Sequence, residues 1–180
     1  MQTRASSLGI AAGIMSAALP TMRPKQTEVI FAALEAFQIE LPSWGFANTG
    51  TRFGKFTQAA AATSTAEKLS DAGQVHLLTG VCPTVAVHVL WDLPNGLDDA
   101  ASLDENARKF GVRVGSINPN LFQDQQYKYG SLGNPDPAVR RAGLDHILDS
   151  IEIAKRVGSR DISMWFADGS NYPGTQNIRH

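Results

Sequence analysis

One histidine of this chain stands where a side chain with acid–base chemistry would be useful. His88 lies near the end of the apolar run at residues 84–92, and it is the only histidine at the end of a predicted buried strand. Imidazole exchanges protons near neutral pH, and Asp92 could fix the tautomer of His88 by accepting a hydrogen bond from one ring nitrogen. A purely structural histidine is the alternative. His76 and His146 fall in helical segments, where we expect solvated or capping roles.

Aromatic side chains accompany His88 at the ends of three apolar runs. Trp91, Phe122 and Trp165 each follow such a run. If the strands are parallel, their carboxyl ends share one edge of the sheet, where β/α barrels place their active sites. Flat aromatic rings suit the apolar faces of a sugar, and polar neighbours suit its hydroxyls. These neighbours are Asp92, Asn118, Asn120 and Asp168. The alternative is that the three aromatic residues belong to the core.

Several other kinds of site find no support in the residues. The net charge of -1 gives no basic surface for a nucleic acid. Cys82 is the only cysteine, which excludes a disulfide within the chain. His88, Asp92 and Asp168 carry possible metal-ligating atoms, but no close pair has a recognised ligand spacing, so we predict no metal site within this chain. The glycines form neither a Walker loop nor a dinucleotide fingerprint.

Four strand–helix units are expected to position these side chains. We predict strands at 43–47, 84–92, 114–122 and from 160 onward, with helices over 24–40, from the capping box at 64–67, from a second capping box at 102–105, and over 137–157. The expected inner stripe of the last helix is Leu144, Ile147, Leu148, Ile151, Ala154 and Val157. No strand alternates strictly between apolar and polar residues, which indicates a sheet covered on both faces. A doubly wound sheet and half of a barrel both fit.

The remaining segments are less regular. Residues 1–23 form a poorly defined segment, either a weak secretory signal or a frayed N-terminus, and 24–180 form the predicted partial barrel domain. Four strands without closure would leave two open edges, so we expect the chain to be the N-terminal part of a longer protein. The loop at 48–56 holds Phe53 and Phe56, which either pack on their own barrel or reach a neighbouring subunit.

Six longer motifs are ELPSWGF (40–46), TRFG (51–54), GQVH (73–76), HVLWD (88–92), SINPNLFQD (116–124) and WFADGSNYPG (165–174). Together they closely resemble the bacterial L-rhamnose isomerase family of broad substrate range, within the xylose-isomerase-like TIM barrels. The resemblance runs from about Pro24 to the end and covers less than half of such an enzyme. It implies an α/β fold, the N-terminal half (about four β/α units) of a (β/α)8 barrel.

The resemblance also implies a reaction and roles for single residues. The reaction is the conversion of L-rhamnose to L-rhamnulose, an aldose–ketose isomerisation through ring opening and a metal-assisted hydride shift. His88 resembles the catalytic histidine that helps to open the sugar ring, and Asp92 is assigned as its catalytic partner from proximity alone. Trp91, Phe122 and Trp165 resemble walls of the substrate site.

Partners and cofactors follow from the same resemblance. Phe53 resembles the substrate-binding aromatic residue that one subunit inserts into the site of its neighbour. Enzymes of the family are typically cytoplasmic homotetramers that use a divalent metal, Mn²⁺ or a similar ion. Their metal ligands come from later strands than this sequence contains, so we expect the chain alone to be inactive. A related barrel epimerase and a non-catalytic sugar-binding or assembly fragment are the alternative functions.

Overall fold

The computed structural model describes residues 24–48, 57–166 and 168. Contacts divide the chain into two units, Met1–Phe37 and Gln38–His180. In the first unit, helix α1 spans Pro24–Glu35, which confirms the predicted helix but ends it before residue 40. In the second unit, the amide of Ile39 donates to the carbonyl oxygen of Val81 at 2.8 Å. The segment that we predicted as the end of the helix therefore leads into a sheet instead.

A three-stranded parallel sheet lies at the centre of the second unit. Its strands are β1 (Glu40–Pro42), β2 (Thr84–His88) and β3 (Arg113–Asn118), adjacent in that order. Consecutive residues of the middle strand, such as Val85 and Ala86, are both buried, so both of its faces are covered. These observations confirm the α/β class. The half-barrel stays a prediction.

All four strands differ from the prediction. The second and third end at His88 and Asn118, four residues before their predicted ends, and Val89–Asp92 forms a helical turn instead of strand. Strand β1 ends at Pro42, and Ser43–Phe46, which we predicted as strand, forms a 3-10 turn. Proline has no N–H with which to continue the ladder, which suits the end of a strand. The predicted fourth strand is represented among the described residues by one parallel bridge, from Ile162 to Ile117. Hydrogen bonds of 2.9 Å flank Ile117 on its amide and carbonyl sides.

Helices pack against this sheet. They are α2 (Thr65–Thr79), the single turn α3 (Val89–Asp92), α4 (Ala100–Lys109) and α5 (Pro137–Val157). The core combines residues of the sheet with residues of α2, α4 and α5, among them Leu69, Val87, Leu103, Ile117 and Ile153. In the part of the chain that the structure describes, no helix has the length and hydrophobicity needed to cross a membrane.

The two predicted capping boxes have different outcomes. The Ser64 hydroxyl oxygen accepts a hydrogen bond from the amide of Glu67 at 3.2 Å, as predicted, and α2 starts there. The carboxylate of Glu67 accepts from the amide of Thr63 at 2.6 Å, one residue before the predicted donor. The prediction of a second capping box at 102–105 is wrong. Helix α4 begins at Ala100, directly after a 3-10 turn, so Ser102 lies inside the helix rather than at its cap.

The inner face of α5 is rotated from the predicted stripe. The buried residues of the helix are Gly143, Ile147, Ser150, Ile153, Ala154 and Val157. Leu144 and Leu148, which we placed in the stripe, are 41% and 47% exposed. Gly143 and Ser150 take their place because small side chains allow the helix to pack closely. Hydrophobicity alone does not reveal this preference for small residues.

The pairing of β2 with β3 shifts by one residue in the middle of the two strands, because β3 holds an extra residue there. The amide and the hydroxyl of Ser116 both donate to the Glu40 carboxylate, at 2.7 and 2.6 Å. The Glu40 carboxylate thus satisfies the amide of Ser116, which the bulge leaves out of the ladder. Beyond it, His88 faces Asn118 at the edge of the sheet.

Candidate active site

His88 is the last residue of β2, and it lies among aromatic rings. Only 4% of its surface is exposed. Its ring stacks on Trp91 with the centroids 3.8 Å apart and an angle of 24° between the planes. Trp44 and Phe122 meet the His88 ring edge to face, at 6.0 and 5.8 Å. Trp44 was not among the predicted site residues because it was assigned to the interior of a strand. In the structure it follows the end of β1.

Phe122 extends this group of rings towards the surface. It contacts Trp165 at a centroid distance of 4.5 Å, and Trp165 is 46% exposed. We call Trp44, His88, Trp91, Phe122 and Trp165 the aromatic cluster. It contains every tryptophan of the chain, since the sequence has three. The structure thus brings together four residues that the sequence placed at one edge, while their contact with a substrate stays a prediction.

Burial determines the charge state of His88. Removal from water lowers its pKa from 6.5 to about 4, because the charged imidazolium loses its hydration. The negative charge of Asp92 acts against this shift, and electrostatic interactions with His146 and Lys68 add to it. The imidazole is therefore neutral at physiological pH, with one ring nitrogen that carries a proton and one that can accept a hydrogen bond.

Asp92 does not bind the ring of His88. One carboxylate oxygen accepts from the backbone amide of His88 at 2.7 Å and from the Ser43 hydroxyl at 2.5 Å, and the other accepts from the Lys68 ammonium at 2.8 Å. Nδ1 of His88 is buried and has no hydrogen-bond partner among the described residues. The prediction that Asp92 fixes the tautomer through a ring nitrogen is wrong, since the α3 turn directs the carboxylate back to the main chain.

Lys68 is a second residue that the sequence analysis missed. Its side chain is 5% exposed and that of Asp92 is fully buried, so the pair forms an ion pair away from water. The ammonium also donates to the carbonyl oxygen of Trp91 at 3.3 Å. A sequence signal was present, because Lys68 precedes Leu69 and lies four residues before Ala72 on the buried face of α2.

The loop after β3 is held by side-chain hydrogen bonds. Gln123 Oε1 accepts from the indole N–H of Trp91 at 2.7 Å and from the Asn120 side chain at 2.9 Å. The backbone amide of Asn120 donates to Nε2 of His146 at 3.1 Å. The solvated or capping role that we expected for His146 is therefore wrong. Burial lowers the pKa of His146, although two nearby aspartates raise it, and a neutral ring is the form that can accept this bond.

The polar residues that we expected to bind sugar hydroxyls have partners within the protein. The carboxylate of Asp168 accepts from the amide and from the hydroxyl of Ser131, the latter at 2.8 Å. Asn118 donates to the carbonyl oxygen of Val87 at 3.1 Å. These two side chains thus hold the protein's own loops and strands. Phe53, the remaining predicted site residue, lies outside the described residues.

The described residues do not fit a metal ion. Within 24–48, 57–166 and 168, no three His, Cys, Asp or Glu side chains lie close enough to hold one. The carboxylate of Asp92 is already bonded to three donors, and that of Asp168 to two. Neither carboxylate offers oxygens arranged for a divalent cation.

Comparison with known proteins identifies related sequences, although no family model matches the chain. A protein of Mesorhizobium japonicum named a probable sugar isomerase is 38% identical over 158 residues, which make up 84% of this chain and 35% of that protein. A protein of Rhizobium meliloti with the same description is 34% identical over 156 residues, 84% of this chain and 36% of that protein. The chain spans about a third of the length of these relatives.

Proposed function

We propose that this chain supplies the sugar-contacting part of an aldose–ketose isomerase that converts L-rhamnose to L-rhamnulose. The two relatives named probable sugar isomerases support the reaction class. The motifs that resemble L-rhamnose isomerases support the choice of sugar. The proposal rests above all on His88, a neutral and buried imidazole inside the aromatic cluster at the end of β2.

The aromatic cluster would hold the apolar side of the sugar. Phe122 is half-buried and Trp165 is partly exposed, so their rings combine a fixed position with surface that a ligand can reach. The C–H groups and the methyl group of rhamnose suit such rings, because contact removes apolar surface from water on both sides. The hydrogen bond from Trp91 to Gln123 fixes the orientation of the indole beneath His88.

His88 would act in ring opening. A cyclic sugar opens when the anomeric hydroxyl loses its proton and the ring oxygen gains one. The basic nitrogen of a neutral imidazole can accept the proton of the anomeric hydroxyl and then donate it to the ring oxygen, which is bonded to the same carbon. Burial lowers the pKa of His88, so the ring enters this step in its neutral form. The open-chain aldehyde is then available for the isomerisation.

The longer protein would contain further parts. We propose a divalent metal ion there, Mn²⁺ or similar, which would polarise the sugar oxygens. The described residues of this chain do not fit such an ion, so we assign it no ligands here. We also propose a cytoplasmic homotetramer in which Phe53 contacts the site of a neighbouring subunit.

A chimera tests the isomerase proposal. The chain would replace the matching third of the Mesorhizobium japonicum relative, and the product formed from L-rhamnose would be identified by chromatography with added Mn²⁺. We expect L-rhamnulose, and we expect the His88→Asn chimera to lose at least about 100-fold in kcat, the range of general acid–base catalysis. The His76→Asn chimera is the matched control, because His76 lies on α2 outside the aromatic cluster.

The outcomes separate the candidate functions. A folded chimera that forms an epimer instead of a ketose would replace the isomerase proposal by the epimerase alternative. An active chimera that is indifferent to His88→Asn would remove His88 from catalysis. A folded but inactive chimera would contradict the isomerase proposal.

The sugar-contacting role can be measured on the chain itself. L-rhamnose should change the tryptophan emission, because every tryptophan belongs to the aromatic cluster. Trp165→Ala should weaken binding at least about tenfold, which corresponds to roughly 1.4 kcal/mol. Unchanged binding by Trp165→Ala would remove Trp165 from the sugar site. Binding that EDTA does not affect, together with an inactive chimera, would favour the non-catalytic sugar-binding alternative.

A further inference from the structure

Three separate parts of the chain meet at the carboxylate of Asp92. Ser43 belongs to the 3-10 turn after β1, His88 ends β2, and Lys68 comes from α2. All three donate to this one side chain, through a hydroxyl, a backbone amide and an ammonium. Ser43 directly precedes Trp44, His88 is itself a member of the aromatic cluster, and Lys68 also donates to the carbonyl oxygen of Trp91. The Asp92 carboxylate thus connects the turn after β1, the end of β2 and helix α2.

We propose that Lys68 is a positioning residue of the candidate active site: its buried ammonium holds the Asp92 carboxylate, which fixes the main chain of His88 and the turn that carries Trp44. The inference rests on the proposed function, since the rings that it organises are those proposed to hold the sugar. Lys68 itself reaches two partners of this site, Asp92 at 2.8 Å and the carbonyl oxygen of Trp91 at 3.3 Å.

The location of Lys68 argues for such a role. Lysine is costly to bury because its ammonium loses hydration, and a buried ion pair is often no more stabilising than well-packed apolar residues. A methionine would fill similar space on the inner face of α2 without that cost. What methionine would lack is the bond that fixes Asp92. The geometry that the pair sets at Asp92 is therefore the role that we assign to Lys68.

The aromatic cluster provides a readout that a general effect on stability would not move. The indole of Trp91 stacks on the His88 ring, so we expect protonation of that imidazole to quench the tryptophan emission. A pH titration of the emission therefore reports the pKa of His88, which is about 4 in this structure. The titratable groups that act on it are Asp92, His146 and Lys68. Loss of the Lys68 charge should raise the pKa of His88 towards its ordinary value.

The test compares the full chain with Lys68→Met, Lys68→Arg and the control Lys155→Met. Lys155 is also paired with a carboxylate, that of Glu152, but both side chains are exposed. With far-UV circular dichroism unchanged, we expect Lys68→Met to weaken the near-UV tryptophan bands and to raise the midpoint of the emission titration. Lys68→Arg should restore the midpoint because it keeps the charge. Lys155→Met should match the wild type in both measurements.

The near-UV bands and the titration midpoint of these variants decide whether Lys68 is a positioning residue. A folded Lys68→Met whose near-UV bands and titration midpoint equal those of the wild type would overturn the positioning role. If Lys68→Met does not fold, Lys68→Arg decides through the near-UV bands alone. Arginine keeps the charge, and so the titration midpoint, but its planar donors differ in geometry from an ammonium, so wild-type near-UV bands in this variant would overturn the positioning role. Neither readout requires a sugar. Altered bands in a chain that binds no L-rhamnose would support the positioning role while contradicting the proposed function.

Discussion

Acidification should destabilise this chain through His88, and His88→Gln should remove that part of the pH dependence. The unfolded chain titrates this histidine near 6.5, whereas burial lowers the pKa in the folded chain to about 4. Between these values the unfolded state binds the proton and the folded state does not. The contribution of His88 to stability is therefore fully present above pH 6.5 and is lost as the pH falls through about 4.

The size of the effect follows from the two pKa values. For a group that changes from 6.5 to about 4 on folding, the free energy of unfolding falls by about 3 kcal/mol between pH 7 and pH 4. With a urea dependence of about 2 kcal/mol per molar, the midpoint of unfolding should fall by roughly 1.5 M. Urea titrations followed by far-UV circular dichroism at several pH values measure it directly.

His88→Gln is the comparison that isolates this histidine. His146, whose pKa is also lowered by burial, and all the carboxylates remain in both proteins, so their contributions largely cancel in the difference. Between pH 7 and pH 4, the free energy of unfolding of the wild type should fall by about 3 kcal/mol more than that of the variant. If the two proteins lose stability in parallel, His88 is not buried as a neutral imidazole, and the argument that it relays protons loses its basis.

Two further predictions concern stability at neutral pH. Asp92→Ala leaves the ammonium of Lys68 buried without its carboxylate, which should lower the free energy of unfolding by about 3–5 kcal/mol. The double variant Asp92→Leu with Lys68→Met should recover most of that loss. Equal urea midpoints for Asp92→Ala and the wild type would show that the pair is not buried in solution. Gly73→Ala should destabilise by about 1–3 kcal/mol because its Cβ would overlap the carbonyl oxygen of Phe110. Gly143→Ala is its matched control, since a Cβ there has ordinary contacts beginning at 3.5 Å and alanine favours a helix by about 0.5–1 kcal/mol. Thermal unfolding that ranks these two variants in the opposite order would refute the packing argument.

Much of the candidate site could be predicted because parallel strands end at one edge. His88, Trp91 and Phe122 were each placed at the end of an apolar run, and in the structure both aromatic rings contact the ring of His88. The order of strands and helices was readable for the same reason, since each apolar run is separated from the next by a helical pattern. Trp44 obeys the same rule, but it was hidden by an error of a few residues in β1.

What could not be predicted depends on contacts between distant residues. Asp92 is four residues from His88, and proximity suggested a bond to the ring. Its donors instead include Lys68 and Ser43, which are 24 and 49 residues away in sequence. His146 is a similar case, because its partner Asn120 belongs to a loop 26 residues earlier. Such bonds are decided by how helices pack on the sheet, which no local spacing encodes.

The bulge in β3 is a place where this strand could lose one residue while the edge of the sheet stays the same. Gly115 and Ser116 together lie opposite the single residue Ala86. A deletion of one codon at Gly115 would leave a regular ladder and would keep His88 opposite Asn118. A deletion in β2 would instead slide His88 out of its position, because every later side chain would change face. Length differences among relatives in this region are therefore expected to align at Gly115, not at the residues of the sheet edge.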